Sequence, residues 1–396
     1  MQWESTISEN SSFQNAMSEC VHNLIAMFSK DRSPTVVFAF ISMAYSEHFN
    51  EVPEILGKHF PDSVIFGCSA SGVIGDGKEL ERTPAIALSA AVFPGVSATP
   101  FVVTDDVLPT PDEPPEQWMK LVGLNPVDQP CFIVLMDPFC RIGEQFLSGL
   151  DFAFPLSRKA GGLASGGLGP GSHALFSGKD VYRKGLIGIG LTGNIVMDTI
   201  VTQGCKPIGD PGRITESRGN VLFMIEELSP MEYLRKTYAL LPIEDQHLIR
   251  GNLFLGIAVD PFEGSDNQDD FLIRKLIGID KESGAIAVGG ILREGQLVQF
   301  HVRDATTSSE DLNHHLRAYL KQVDQGSLVG ALMFQCNGRG IGLYGSPDHD
   351  LGSWHSEVGP VPIGGFFCNG ELGQIGSATF IHEFTSSFAI FRQNHG

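Results

Sequence analysis

A chain of 396 residues, 42% of them apolar, exceeds what one hydrophobic core usually spans, so two or three packed lobes are expected and a disordered chain is not. Its 27 Lys and Arg against 46 Asp and Glu leave a net charge of −19, which repels phosphate backbones and anionic lipid and argues against nucleic-acid or membrane partners. Seven cysteines without a C-x-x-C spacing indicate neither a disulfide framework nor a zinc knuckle. With no signal-like N-terminus and no apolar run near the roughly 20 residues of a membrane span, a reducing, cytoplasmic setting is expected.

Residues 8–30 carry Phe13, Met17, Val21, Leu24, Ile25 and Phe28 at helical spacing, which predicts an amphipathic helix closing onto the body. From Pro34 one pattern occurs three times. The first copy opens with an apolar strand at 36–40, passes a helical stretch at 51–60, reaches a glycine turn at 67–72 and closes with a strand near 85–92. The second opens at 131–136, turns at 161–167 and closes at 186–191; the third opens at 331–336, turns at 364–370 and closes at 388–391. Repetition at similar offsets indicates duplicated supersecondary units. The opening strands are continuous apolar runs, so they read as buried on both faces with helices covering the sheet.

Between copies two and three, the Pro- and Gly-rich stretch 205–219 reads as a linker. Ser229-Pro230-Met231-Glu232 is a capping box that starts a helix at 230–238, and a domain boundary is expected just before it. Short strands at 271–279, 285–288 and 297–303 suggest antiparallel hairpins, the acidic stretch 260–270 a solvated hairpin end, and 304–320 a helix. The fold class is therefore α/β: repeated strand-helix-strand units in two lobes, with mixed sheets and glycine-rich turns. The expected organisation is an N-terminal helix (1–32), a first domain holding two repeat units (33–204), a linker (205–219) and a second domain with hairpins plus the third unit (220–396).

The glycine turns would bring bare backbone N–H groups close either to a ligand or to a neighbouring strand, and both readings stand. None is a phosphate-binding loop of the Gly-Lys-Ser/Thr kind. The densest polar constellation is Cys336-Asn337-Gly338-Arg339-Gly340, at the end of the third opening strand, where open α/β sheets place ligands. Arg339 could clamp a carboxylate and Asn337 offers donor and acceptor; alternatively the segment is a turn with a surface arginine. Glu371 and His382 flank the last glycine turn. Converging on Arg339, they would suit a zwitterion such as an amino acid, or Glu371 only salt-bridges Arg339. The candidate ligand-binding set is Ser69, Cys336, Asn337, Arg339, Gly365, Asn369, Glu371 and His382, so the third copy is expected to carry the function and the first two to be architectural. Cys336 or Cys68 as a thiol nucleophile is an alternative that lacks an adjacent base. His314 and His315 beside Glu310 and Asp311 lack further ligands, so no metal and no cofactor is expected.

Four stretches resemble the FIST family: Phe66-Gly67-Cys68-Ser69-Ala70-Ser71-Gly72; the tract from Ile277-Gly278-Ile279-Asp280 through Gly289-Gly290 to Glu294-Gly295; Phe334-Gln335-Cys336-Asn337-Gly338-Arg339; and Pro362-Ile363-Gly364-Gly365-Phe366-Phe367-Cys368-Asn369-Gly370-Glu371. The resemblance implies N-terminal and C-terminal FIST domains and a sensory role in binding small ligands, amino acids or related metabolites among them. The thirty-odd residues before Pro34 leave no room for the F-box found in some relatives, so a stand-alone form is expected, signalling through a separate protein partner and possible as a homo-oligomer. The alternative is a protein–protein interaction scaffold.

Overall fold

The computed structural model describes residues 1–29, 32–249, 251–259 and 271–393; the acidic segment 260–270 lies outside them. By contacts the chain divides into two compact units, one of residues 1–201, 313–381 and 385 onward, the other of 202–312 and 382–384.

The first unit is built from three repeats. In the first, β1 (Gln2–Ser8), α1 (Phe13–Met27), β2 (Val36–Ser42), α2 (Val52–His59), β3 (Val64–Ala70), a hairpin of β4 (Gly72–Gly75) and β5 (Lys78–Glu81), and β6 (Ile86–Val92) follow in order. The second repeats the plan with β7 (Val96–Val103), α3 (Pro115–Val122), β8 (Cys131–Met136), α4 (Gly143–Ala153), β9 (Lys159–Leu163), the hairpin β10 (Leu175–Ser177) and β11 (Asp180–Tyr182), and β12 (Leu186–Gly193). The third begins with β13 (Val196–Thr202).

There the second unit intervenes, with β14 (Cys205–Arg218), β15 (Val221–Ile225), α5 (Pro230–Leu240), α6 (Ile243–Leu248), β16 (Leu253–Ala258), β17 (Phe271–Ile279), β18 (Ile286–Val288) and β19 (Leu297–Arg303). The third repeat resumes through α7 (Ala305–Leu320), within which the unit boundary falls, to β20 (Leu328–Cys336), α8 (Ile341–Tyr344), α9 (His349–Val358), β21 (Ile363–Cys368), the hairpin β22 (Glu371–Ile375) and β23 (Ala378–His382), and β24 (Ser386–Arg392).

Each repeat makes the core of a six-stranded sheet, in the orders β1-β6-β2-β3-β10-β11, β7-β12-β8-β9-β22-β23 and β13-β24-β20-β21-β4-β5. At the heart of each is one parallel pair: β2 with β3, β8 with β9, β20 with β21. The hairpins are exchanged in a ring. That of repeat one extends the sheet of repeat three, that of two the sheet of one, and that of three the sheet of two.

The expected burial on both faces is borne out by the strand residues. Phe38 and Phe40 of β2, Ile133 and Leu135 of β8, and Leu332 and Phe334 of β20 share one central core. The alternate residues Val37, Ala39 and Ile41 pack beneath α1 and α2, and Phe132, Val134 and Met136 beneath α3 and α4. Each buried Phe or Leu contributes about 1.5–3 kcal/mol by leaving water.

Two boundaries differ from expectation. Residues 1–32 are not a lone helix, because β1 precedes α1 and pairs along its whole length with β6, making the segment part of repeat one. The stretch 205–219 is not a linker but the fourteen-residue strand β14. Its Pro207, Gly209, Pro211 and Gly212 mark a break in register between Ile208 and Gly212 against β19, so turn-forming residues here build a bulge. The capping box of α5 forms as read, with Ser229 and Glu232 capping reciprocally, and by contacts the helix lies inside the second unit.

That unit is a closed barrel, β14-β15-β18-β17-β16-β19, filled by Leu222, Leu255, Ile286, Val298, Phe300 and neighbours. Among the described residues no helix is long and apolar enough to cross a membrane.

Candidate functional site

In each repeat the two parallel strands approach so closely that one position has no room for a side chain. A Cβ at Gly67, Gly161 or Gly365 would lie 1.8, 1.8 and 1.9 Å from the carbonyl oxygens of Ala39, Val134 and Met333, their register partners. These glycines are therefore equivalent across the repeats. Four residues after each stand Ser71, Ser165 and Asn369, just past the carboxyl ends of β3, β9 and β21.

The three equivalent positions meet in one polar node. The Ser71 hydroxyl donates to Asn337 Oδ1, and the Ser71 backbone N–H donates to Ser165 Oγ at 2.9 Å. The Ser165 hydroxyl donates to the Phe367 carbonyl. Asn337 Nδ2 donates to Asn369 Oδ1 at 2.7 Å, and Asn369 Nδ2 to the Ala164 carbonyl at 3.1 Å. Backbone bonds from Asn337 to Cys368, Asn369 to Leu163 and Ser165 to Ser69 lock the strand ends together. Ser165 is buried, Ser71 and Asn337 are half-buried, and Asn369 is exposed, so the node reaches solvent. Beyond the ends of β8, β9 and β20 the chain carries exposed apolar side chains, Phe139 and Leu168 in loops and Ile341 at the start of α8.

The predicted residues fall on this site unevenly. Asn337 and Asn369 are in the node, and Ser69 supports it, its Oγ accepting from Ala174 N at 3.0 Å. Gly365 sets the close strand approach, and Cys336 is half-buried at the end of β20. Glu371 is buried and accepts from the backbone and hydroxyl of Thr385 at 3.2 and 2.8 Å, tying the start of β22 to the returning chain. His382, buried at the end of β23, belongs by contacts to the barrel unit. The node draws on all three repeats, not on the third alone; Ser71 and Ser165 went unread because single serines in glycine turns carry no distinctive spacing. For Cys68, complete burial pushes the thiol well above its ordinary value, away from the thiolate a nucleophile needs.

Arg339 is not a surface clamp. It is fully buried, and its Nε and Nη2 bond Asp350 at 2.6 and 3.1 Å, with Nη2 also donating to the Tyr344 hydroxyl at 2.6 Å. The Tyr344 ring stacks on His349 with centroids 3.6 Å apart. Gln335 completes the set by donating to Asp350 at 3.0 Å. Burial alone would raise the Asp350 carboxyl, but the Arg339 guanidinium outweighs it and holds the group below the usual range.

Into this cluster the first repeat sends its hairpin. Glu79 Oε1 accepts from Leu351 N in the first turn of α9 at 2.7 Å, while Asp348 accepts from Glu79 N and Glu81 from Ile341 N. Burial, then the Asp350 charge, raises the Glu79 carboxyl to about 8. The folded chain thus keeps a proton that the unfolded chain releases above about 4.5. Stability from this group is full below that value and falls as pH rises toward about 8, by a few kcal/mol in sum. Glu79→Gln, which keeps the acceptor for Leu351, is expected to flatten stability between pH 5 and 8 in denaturant titrations; an unchanged slope would refute the assignment.

Asp137 and His173, outside the predicted set, brace the glycine loop of repeat two. His173 Nδ1 lies 3.3 Å from Asp137 Oδ1, and Nε2 accepts from Gly167 N at 3.2 Å, which places the ring proton on Nδ1. Burial lowers the His173 value and raises that of Asp137. A cleft of about 390 Å³ at the amino ends of β20 and β21, lined by Trp3, Leu328 and Pro362, and another of about 560 Å³ beside α5 hold none of the predicted residues.

The model of the FIST N domain matches residues 35–227 and that of the FIST C domain residues 230–374. The chain belongs to the FIST family. An uncharacterized protein of Mycobacterium tuberculosis is 33% identical over 333 residues, 83% of this chain and 84% of its own, and one of Mycobacterium bovis is 29% identical over 361 residues, 91% of each. Among solved structures, a cyanuric acid hydrolase covers 99% of this FIST protein and 100% of its own chain at 8% identity and a TM-score of 0.34. A second, from A. caulinodans, gives 7% and 0.36 over the same shares; at that distance neither informs the fold or chemistry here.

Proposed function

We propose that this FIST protein is a small-ligand-binding signalling domain whose ligand sits on the node of Ser71, Ser165, Asn337 and Asn369, and that it passes its signal to a separate protein partner in the cytoplasm. FIST domains are recognised as small-ligand-binding signalling domains. The observation that carries the site is the convergence of repeat-equivalent polar residues at the carboxyl ends of three parallel strand pairs, where such sheets bind ligands. The reading is tested by screening amino acids and related metabolites by thermal shift, then measuring each hit calorimetrically on Ser71→Ala and Asn369→Ala. Loss of one hydrogen bond predicts about tenfold weaker binding. A hit bound equally by both variants would place the site elsewhere.

A further inference from the structure

We infer that the ligand of the node carries an oxyanionic group, a carboxylate or a phosphate, and that Arg82 is the residue that selects it; this rests on the reading of the node as the ligand site. The register of the first hairpin pairs Gly72 with Glu81, so the next residues out, Ser71 and Arg82, stand opposite each other at its base. The Arg82 backbone N–H donates to the Ser71 carbonyl at 3.1 Å, which fixes the arginine beside the node. Its side chain is exposed and enters no ion pair among the described residues. The adjacent Glu81 is turned to Ile341 N, 2.7 Å away, and Arg339 is spent on Asp350.

The unspent groups beside Arg82 include donors. Asn337 Oδ1 and Asn369 Oδ1 already accept, from Ser71 and from Asn337, whereas each carboxamide uses one of its two N–H hydrogens. Amide N–H groups and a guanidinium fork match oxygens that only accept, and charge-assisted bonds of this kind are stronger than neutral ones. The net charge of −19 repels an anion at long range, but physiological salt screens that field beyond about 8 Å and leaves a contact pair in force. Arg82 also stands at φ +53°, a left-handed backbone that disfavours most side chains and that asparagine tolerates better. Strain of this kind is kept where a side chain serves a site.

Thermal-shift titrations of the full chain with acetate and inorganic phosphate, against acetamide, methylammonium and chloride at matched ionic strength, test the assignment. Acetate, phosphate or both are expected to raise the wild-type melting temperature beyond the controls, and the stronger of the two identifies the group. Arg82→Asn is expected to weaken that response at least about tenfold. The same variant should raise the melting temperature without probe, because asparagine relieves the left-handed backbone. Arg82→Lys keeps the charge but not the fork and should fall between. Asn369→Ser, with the residue that occupies the two equivalent positions, should also weaken the response about tenfold. A response lost in Asn369→Ser but intact in Arg82→Asn overturns the role of Arg82 and leaves the site standing. One lost in Arg82→Asn alone puts the anion outside the node, and one intact in both variants overturns the site itself. An acetamide response equal to that of the oxyanions, or no oxyanion shift in the wild type, overturns the ligand class.

Discussion

Asp350→Asn is expected to destabilise the first unit by about 3–5 kcal/mol, the cost of leaving a buried guanidinium without its counter-charge. Asp350 and Arg339 are both 0% exposed, and the carboxylate accepts two bonds from Arg339 and a third from Gln335. Asparagine keeps the volume and one acceptor but loses the charge, so the loss measured is electrostatic and not a cavity. Arg339→Met, by contrast, leaves a carboxylate that can protonate, and a smaller loss is expected at pH 4 than at pH 7. Urea titrations of both variants at the two pH values give the comparison. Equal stability of Asp350→Asn and wild type at neutral pH would show that the pair is not the clasp described.

A larger effect is expected from a single methyl group. Gly365→Ala places Cβ 1.9 Å from the Met333 carbonyl oxygen, a backbone atom that cannot rotate away, so the parallel pair must separate where it is most buried. The loss is expected to exceed about 4 kcal/mol, beyond the range of ordinary substitutions, and Gly67→Ala should match it because the geometry at Ala39 is the same. The control is Gly352→Ala. That exposed glycine lies inside α9 with nothing within 4 Å of its Cβ position, and alanine there should add about 0.5–1 kcal/mol through helix propensity. Chemical denaturation of the three variants therefore should give two large losses and one small gain. A mild effect at Gly365 would mean that the strands are farther apart than described.

The threefold pattern was legible because strands buried on both faces leave uninterrupted apolar runs, and such runs open each repeat at 36, 131 and 331. Strand β1 was not. Its only large apolar residues are Trp3 and Ile7, and its other buried residues, Ser5, Thr6 and Ser8 on the two faces, are satisfied by Ser89, the Cys20 carbonyl and Glu19. Hydropathy cannot see a polar face whose partners lie elsewhere in the chain. The same limit governs the site. Asn337 and Asn369 stood out as carboxamides beside glycines, whereas the partner of Arg339 sits eleven residues on, beyond a loop and a short helix, with no spacing to announce it. Glu371, read as converging on Arg339 or as its salt-bridge partner, accepts instead from a threonine fourteen residues away.

The ring of exchanged hairpins makes the three repeats mutually indispensable. Deleting any one would strip a hairpin from a second sheet and strand the hairpin of a third, exposing unpaired edges in both. A fragment of one or two repeats should therefore aggregate, while a circular permutant that keeps all three and opens a surface turn should fold. Copies so interlocked can differ in sequence, as Ser71, Ser165 and Asn369 do, yet none can be discarded without undoing the sheets of the other two.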